Sequence, residues 1–407
     1  MIPTNKPAYA LADLYAALFH DSRAVDHFEN ELAQRFDFHD AIVFPYGRSA
    51  LYAALKSLNC PAGEVVQPAY NCVVVAHATI AAGHRPVFID TEASLPNQNA
   101  DQMVQAVGSK TVAVIPTSIY GMTFDVETMR EDIRRRNRDA CIIVDCCQAL
   151  DARWGKNLIM HAGDGALLAF GIGKPMTTLY GGALLTNRRE LATAVRTFRD
   201  RTYRQPGRIA VFRRWFYFIA SWAVLSTAMV SLTDYLINAD TPLSRYLWKL
   251  RAREAIRLPE NNDILMLPLE AAIGRCQLER LSQFMTRRRE IATQYNEAFR
   301  KLPNIELLNW NEGSTLTIYT IRLKRPLDRP KVISLMRKKG VQCDTILSYV
   351  IPGLECYQER GFSAKDFPHA RAWSESVLNL PNYPFMTDKQ VQKVIRTMQE
   401  TVGELYG

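Results

Sequence analysis

No low-complexity tract interrupts these 407 residues, and Met1 to His20 lacks the cationic start, apolar stretch and small-residue cleavage site of a secretion signal. With 48 % of residues hydrophobic, the chain has enough apolar surface to fold throughout, so a disordered protein is excluded and no secretion is expected. The eight cysteines (60, 72, 141, 146, 147, 276, 343 and 356) are scattered and show no metal-ligand spacing with the seven histidines. They read as reduced thiols of a cytoplasmic protein, with no bound metal. Zinc-finger spacing, a recognition-helix signature and an aromatic-basic ribonucleoprotein motif are all missing, which removes the usual signs of a nucleic-acid partner. A nucleotide-hydrolase phosphate loop is missing too. Gly171-Ile172-Gly173-Lys174 has Leu168 where that loop needs its first glycine and Pro175 where it needs Ser or Thr.

What the chain does carry is a series of short apolar runs separated by helix-length segments: 41–44, 64–66, 86–89, 112–115, 141–144, 166–170 and 183–185. Runs of this kind predict a largely parallel sheet covered on both faces, an α/β layered domain. Ligands of such sheets sit at the carboxyl ends of strands, where Asp90, Ser118, Asp145 and Lys174 fall. The length calls for two lobes. A long amphipathic pattern from Pro268 to Leu302 suits a helix bridging between them, which gives a large lobe over 1–285 and a small α+β lobe over 286–407. The net charge of +9 suits anionic partners, either phosphate-bearing small molecules or an acidic membrane surface.

Lys174 and Asp145 propose a chemistry. A lysine amine can form a Schiff base with the aldehyde of pyridoxal 5'-phosphate, and a carboxylate against the pyridine nitrogen keeps the ring an electron sink. Upstream, Gly47-Arg48-Ser49 opens a predicted helix after an apolar run. Its backbone amides and dipole could seat a phosphate, with Arg48 adding a forked contact.

These stretches resemble the DegT/StrS family of PLP-dependent sugar aminotransferases. The similarity runs through Gly47 to Leu51, Pro68 to Cys72, Tyr120-Gly121, Asp145 to Ala149, Gly163-Asp164, Phe170 through Lys174 to Gly181-Gly182, Glu270 to Leu281, Arg287 to Arg289 and Leu380 to Pro384. The resemblance implies a type I aminotransferase fold, a mostly parallel mixed sheet in an αβα sandwich, and a homodimer with sites at the subunit interface. It implies that Lys174 carries the cofactor and moves the proton, Asp145 pairs with the ring nitrogen, Gln148 bonds near the ring hydroxyl and Gly47, Arg48 and Ser49 hold the phosphate. Cys72 stands where an aromatic residue usually stacks on the ring. The reaction implied takes an amino group from glutamate to a keto sugar, usually nucleotide-linked, for polysaccharide or glycoconjugate synthesis. Other departures are Ala169 for a phosphate-contacting serine, Ser118 for a histidine, Thr315 and Thr317 where small-lobe histidines occur, and Asp263 to Met266 for an Asn and Arg motif.

The segment from about 200 to 262 has no counterpart in the family. Within it Trp215 to Thr233 carries no charged residue and follows a group of arginines. A single membrane crossing would split the site, so two readings stay open. Either this helix is buried against a partner subunit or over the site, the favoured reading, or it lies in a membrane interface with Trp215 and Trp222 at headgroup depth. Two alternatives to sugar amination also stay open: another PLP-dependent reaction on the same scaffold, although the retained lysine argues against the dehydratase branch, and a PLP-binding regulatory protein without turnover.

Overall fold

The apolar runs form strands that bury side chains alternately on two faces. In order these are β1 (Asp40–Phe44), β2 (Glu64–Pro68), β3 (Arg85–Ile89), β4 (Thr111–Val114) and β5 (Cys141–Asp145), then, after a small surface hairpin of β6 (Arg153–Trp154) and β7 (Asn157–Leu158) that no such run announced, β8 (Gly165–Ala169) and β9 (Gly182–Thr186). In this computed structural model residues 1–224 and 255–406 are described. Ile142 and Val144 of β5 enter one core, with Val43, Val66 and Val114, whereas Cys141 and Ile143 enter the other, with Phe44, Val65 and Leu184. A strand buried on both sides needs a continuous apolar run, which is why the pattern was readable.

Hydrogen bonding orders the seven strands of the main sheet β1-β9-β8-β5-β4-β2-β3. Only β9 runs antiparallel to its neighbours; β8, β5, β4, β2 and β3 are mutually parallel. The second lobe is an antiparallel sheet of β10 (Ile305–Leu307), β11 (Tyr319–Leu323) and β12 (Val377–Leu380), covered by helices Arg329–Lys338 and Asp388–Tyr406.

The bridging pattern from Pro268 to Leu302 is two helices rather than one, Pro268–Glu279 and Leu281–Phe299, meeting at Arg280 (φ −94°, ψ −1°). Arg280 Nε donates to the Cys276 carbonyl and its guanidinium pairs with buried Asp13, tying the break to the amino-terminal helix Leu11–Leu18. Leu281, Phe284 and Met285 pack in the large core, whereas Ile291, Ala292 and Tyr295 pack in the small one. The amino terminus departs from its expected lobe: Ile2 bonds to Gly340 and Gln342 and packs in the small core. Asp90 clamps the lobes together. Its carboxylate accepts from the backbone N–H groups of His369 (3.1 Å) and Ala370 (2.7 Å), at the start of helix Pro368–Ser376.

The first described part of the 200–262 segment, residues 200–224, contains helix Arg208–Val224; residues 225–233 of the uncharged stretch lie outside the described residues. Trp215 and Trp222 do not take the outward positions that the membrane reading gave them. They pack with Val211 and Phe218 against Tyr9, Leu269 and Ile273, because this side of the helix completes a core around helix Pro268–Glu279. Among the described residues no helix is long and apolar enough to cross a membrane.

Candidate active site

Three strand ends and one strand start meet at a single edge of the sheet. Phe44 and Ala169 both pair with Gly182, and Asp145 stands opposite Leu167 one strand further on. Because β9 is reversed, its amino end lies beside the carboxyl ends of β1, β8 and β5, the place where such sheets bind ligands. Side chains from these ends and their loops enclose a cavity of about 230 Å³ bounded by Tyr46, Gly47, Arg48, Cys72, Asp145, Ala169, Lys174 and Tyr180.

The helix Gly47–Ser57 starts directly on this edge, after extended Tyr46. A Cβ on Gly182 would fall 2.4 Å from both Gly47 N and Gly47 Cα, and one on Gly47 would fall 2.8 Å from the Ala169 Cβ. Only glycine permits this approach, which sets the positive end of the helix at the cavity with Arg48 alongside.

Asp145, 4 % exposed, ends β5, and its Oδ1 accepts the Cys147 N–H at 2.9 Å. Burial, and then the charge of Asp145, push the neighbouring Cys146 and Cys147 thiols well up, so both stay protonated. Lys174 sits in the loop between β8 and β9. Phe170 N–H donates to the Gly181 carbonyl (2.9 Å), Thr178 N–H to the Phe170 carbonyl (2.9 Å) and Lys174 N–H to the Gly171 carbonyl (3.1 Å). A loop closed at both ends in this way holds the amine at the cavity wall.

Ser49 and Gln148 are not among the residues bounding the cavity. The Ser49 hydroxyl is buried and donates to Asn262 Oδ1 at 2.5 Å. Gln148 Oε1 accepts the Tyr120 N–H at 2.6 Å and so supports a residue in the left-handed region (φ 57°). Both side chains act behind the wall. The family departures also have local partners: the Ser118 hydroxyl bonds to the Met122 carbonyl, and the Thr315 hydroxyl donates to the Gln148 carbonyl at 3.2 Å across the lobes.

Tyr46 and Tyr180 bound this cavity and Arg214 and Glu270 stand behind it; none of the four was a candidate site residue, although Glu270 opens one of the stretches that carry the resemblance. The Tyr180 ring stands edge-on to Tyr46 (centroids 5.5 Å apart) and stacks on Tyr217 (4.9 Å), with the Arg214 guanidinium over it. Arg214 Nε lies 2.9 Å from the carboxylate of buried Glu270. Burial pushes Glu270 up to about 7, against the opposing pull of Arg214 and the Leu267 N–H. Beyond Tyr46 and Tyr180 lies a second cleft of about 470 Å³, bounded by Arg204, Arg213, Arg214 and Phe216. Only the position of Tyr180 directly before the Gly-Gly pair could have signalled its role; Arg214 belongs to a segment without a counterpart to read it against.

An amine, a buried carboxylate and a helix amino terminus around one small cavity match the functional groups of pyridoxal phosphate: aldehyde, ring nitrogen and phosphate. Comparison with known proteins agrees. The DegT/DnrJ/EryC1/StrS aminotransferase family model matches residues 11–213 and 261–399, so the unmatched segment is 214–260, shorter at both ends than the 200–262 expected. The chain is 24 % identical over 388 residues to the spore coat polysaccharide biosynthesis protein SpsC of Bacillus subtilis, covering 93 % of this chain and 89 % of that one. It is 22 % identical over 378 residues to GDP-perosamine synthase of Escherichia coli O157:H7, covering 92 % and 89 %. The PLP-form of the putative sugar aminotransferase Spr1654 from Streptococcus pneumoniae superposes with a TM-score of 0.78 at 18 % identity, covering 100 % of both chains. By the cavity's functional groups and the extent of the match, this chain belongs to the DegT/DnrJ/EryC1/StrS family of PLP-dependent aminotransferases.

Proposed function

We propose that the protein transfers an amino group from an amino acid, glutamate first among candidates, to a keto sugar carried on a nucleotide, for the synthesis of a polysaccharide or glycoconjugate. One observation carries this reading: Lys174 and Asp145 bound the same cavity at the head of a helix that only glycine lets approach. Pyridoxal phosphate supplies, when bound, an aldehyde that takes up amines and a ring that withdraws electrons. Asp145 keeps the ring nitrogen protonated. Lys174 would hold the cofactor at rest through Nζ and, once freed by the donor, its amine would move the proton of the donor α-carbon. Gly47 and Arg48 seat the phosphate from the helix end. Ser49 and Gln148 hold the surrounding backbone through Asn262 and Tyr120. Cys72, half-buried, offers an apolar wall for the ring.

Support for the nucleotide-linked acceptor comes from the name of the GDP-perosamine synthase relative and from the arginine-bordered second cleft, which shares Tyr46 and Tyr180 with the cavity. The reading includes a homodimer stationed in the cytoplasm at the inner face of the membrane. The test is the visible absorption spectrum of the protein with pyridoxal phosphate, for wild type and Lys174→Ala, before and after glutamate. A lysine-dependent band that glutamate bleaches is expected. A band that no amino donor bleaches would leave a regulatory PLP-binding protein instead.

A further inference from the structure

The outer face of helix Arg208–Val224 takes no part in the chemistry. At about 3.6 residues per turn, Ile209, Phe212, Phe216 and Ile219 form one stripe along it, and all four are exposed, from 59 to 74 %. This stripe lies about a third of a turn around the helix from the one that packs on the enzyme through Val211, Trp215, Phe218 and Trp222. By the same geometry exposed Arg208 and Arg213 border it on its two sides, and exposed Arg201 precedes the helix, whereas Arg204 is paired with Asp263. No acidic residue occurs from Arg201 to Val224.

We propose that this face docks on an anionic lipid bilayer, with the phenyl and isoleucine side chains in the boundary between headgroups and acyl chains and the arginines against lipid phosphate. Charge selects this occupant. In a two-fold contact between copies the same patch meets itself, so arginine-bordered stripes without acids would set like charges together. An anionic lipid surface supplies the missing sign. The inference deepens the membrane-side station proposed above and does not depend on the identity of the acceptor. It also orients the site, since Ile209 and Phe216 bound the second cleft, whose mouth is thereby turned to the lipid surface.

The test is flotation of the full-length, PLP-loaded protein with vesicles of phosphatidylcholine alone or mixed with phosphatidylglycerol. Recovery is expected with the mixed vesicles, falling as salt rises, and not with phosphatidylcholine alone. Phe212→Ser with Ile219→Ser should lower recovery roughly ten-fold or more, and Arg208→Gln about five-fold, with particle mass by light scattering unchanged. Three outcomes would overturn the proposal: no recovery with anionic vesicles, wild-type recovery of the serine variant, or a fall in its particle mass, which would make the face a protein interface. Bleaching by glutamate is read on the same sample without vesicles. Flotation without bleaching therefore sinks the aminotransferase reading alone, and bleaching without flotation sinks this one alone.

Discussion

The guanidinium of Arg214 lies 4.0 Å from the centre of the Tyr180 ring, while its Nε reaches the buried carboxylate of Glu270. An arginine of the inserted segment thus braces a wall of the cofactor cavity from behind. Stacked cations of this kind are worth about 2 kcal/mol when desolvated, and removing one partner of a buried pair costs roughly 3–5 kcal/mol.

Arg214→Met should therefore lower the melting temperature at pH 8, where the folded chain must either hold Glu270 charged and unpaired or bind a proton there that the unfolded chain does not hold. It should also raise KM for the keto-sugar acceptor more than it lowers kcat, because Tyr180 borders the second cleft as well as the cavity. The double variant Arg214→Met, Glu270→Gln should recover much of the melting temperature but not the KM. If the double variant is no more stable than the single one, the two side chains are not energetically coupled.

The two glycines at the sheet edge give a sharper steric prediction. A methyl group at Gly182 meets Gly47 backbone atoms at 2.4 Å, which no rotamer can relieve, whereas one at Gly171 meets nothing within 4 Å. Gly182→Ala should push back the head of helix Gly47–Ser57 and weaken pyridoxal phosphate binding by roughly ten-fold or more, a loss of at least ~1.4 kcal/mol. Gly171→Ala should bind within about two-fold of wild type, a difference of a few tenths of a kcal/mol. Titration followed by absorbance separates the two, and equal losses would remove the cradle from the account.

The sheet was legible in the sequence because it rests on local pattern, and the same pattern put Asp145 and Lys174 at the end of the sheet where the cavity lies. A strand buried on both faces must be apolar throughout; Asp145 ends one such run and Lys174 lies one short glycine turn beyond another. What Ser49 and Gln148 bond to depends on partners far along the chain. Nothing near Ser49 announces Asn262, 213 residues away, and nothing near Gln148 announces that Tyr120 turns left-handed and needs an acceptor. The inserted helix misled for a related reason. It is apolar on both sides, so its periodicity could not say that Trp215 and Trp222 face the enzyme while Phe212 and Phe216 face outward. Arg280 likewise breaks a continuous amphipathic pattern at a turn where the two helices on either side pack on different neighbours.

Glu270 makes stability depend on pH in a known direction. Its folded value of about 7 lies above the ordinary 4.5, so its contribution to stability is complete below pH 4.5 and is lost as pH rises through about 7. His77 works the other way. Burial, and then Arg48, lower it from 6.5 to about 4, so its contribution is present above pH 6.5 and lost as pH falls through 4. The difference in melting temperature between Glu270→Gln and wild type cancels the histidine. That difference should shift in favour of the glutamine variant from pH 4.5 to pH 8. A difference constant across this range would mean that Glu270 titrates as an ordinary carboxylate in the folded chain.

Asp145 has two tasks that one substitution can separate. Its Oδ1 accepts the Cys147 N–H, a backbone contact that an amide oxygen can also make, while its charge is what a protonated ring nitrogen requires. Asp145→Asn should therefore bind pyridoxal phosphate with affinity within roughly ten-fold of wild type, about 1.4 kcal/mol, yet bleach with glutamate about 10²–10⁴ times more slowly, the range expected when a group acting on protons in the transition state is lost. Asp145→Ala, which also strands the buried Cys147 N–H, should lose binding and stability together. Stopped-flow absorbance of the glutamate half-reaction decides the matter. If the asparagine variant reacts within a few-fold of wild type, Asp145 serves only to hold the turn at Cys147, and the electron-withdrawing role must belong to another group on the cavity wall.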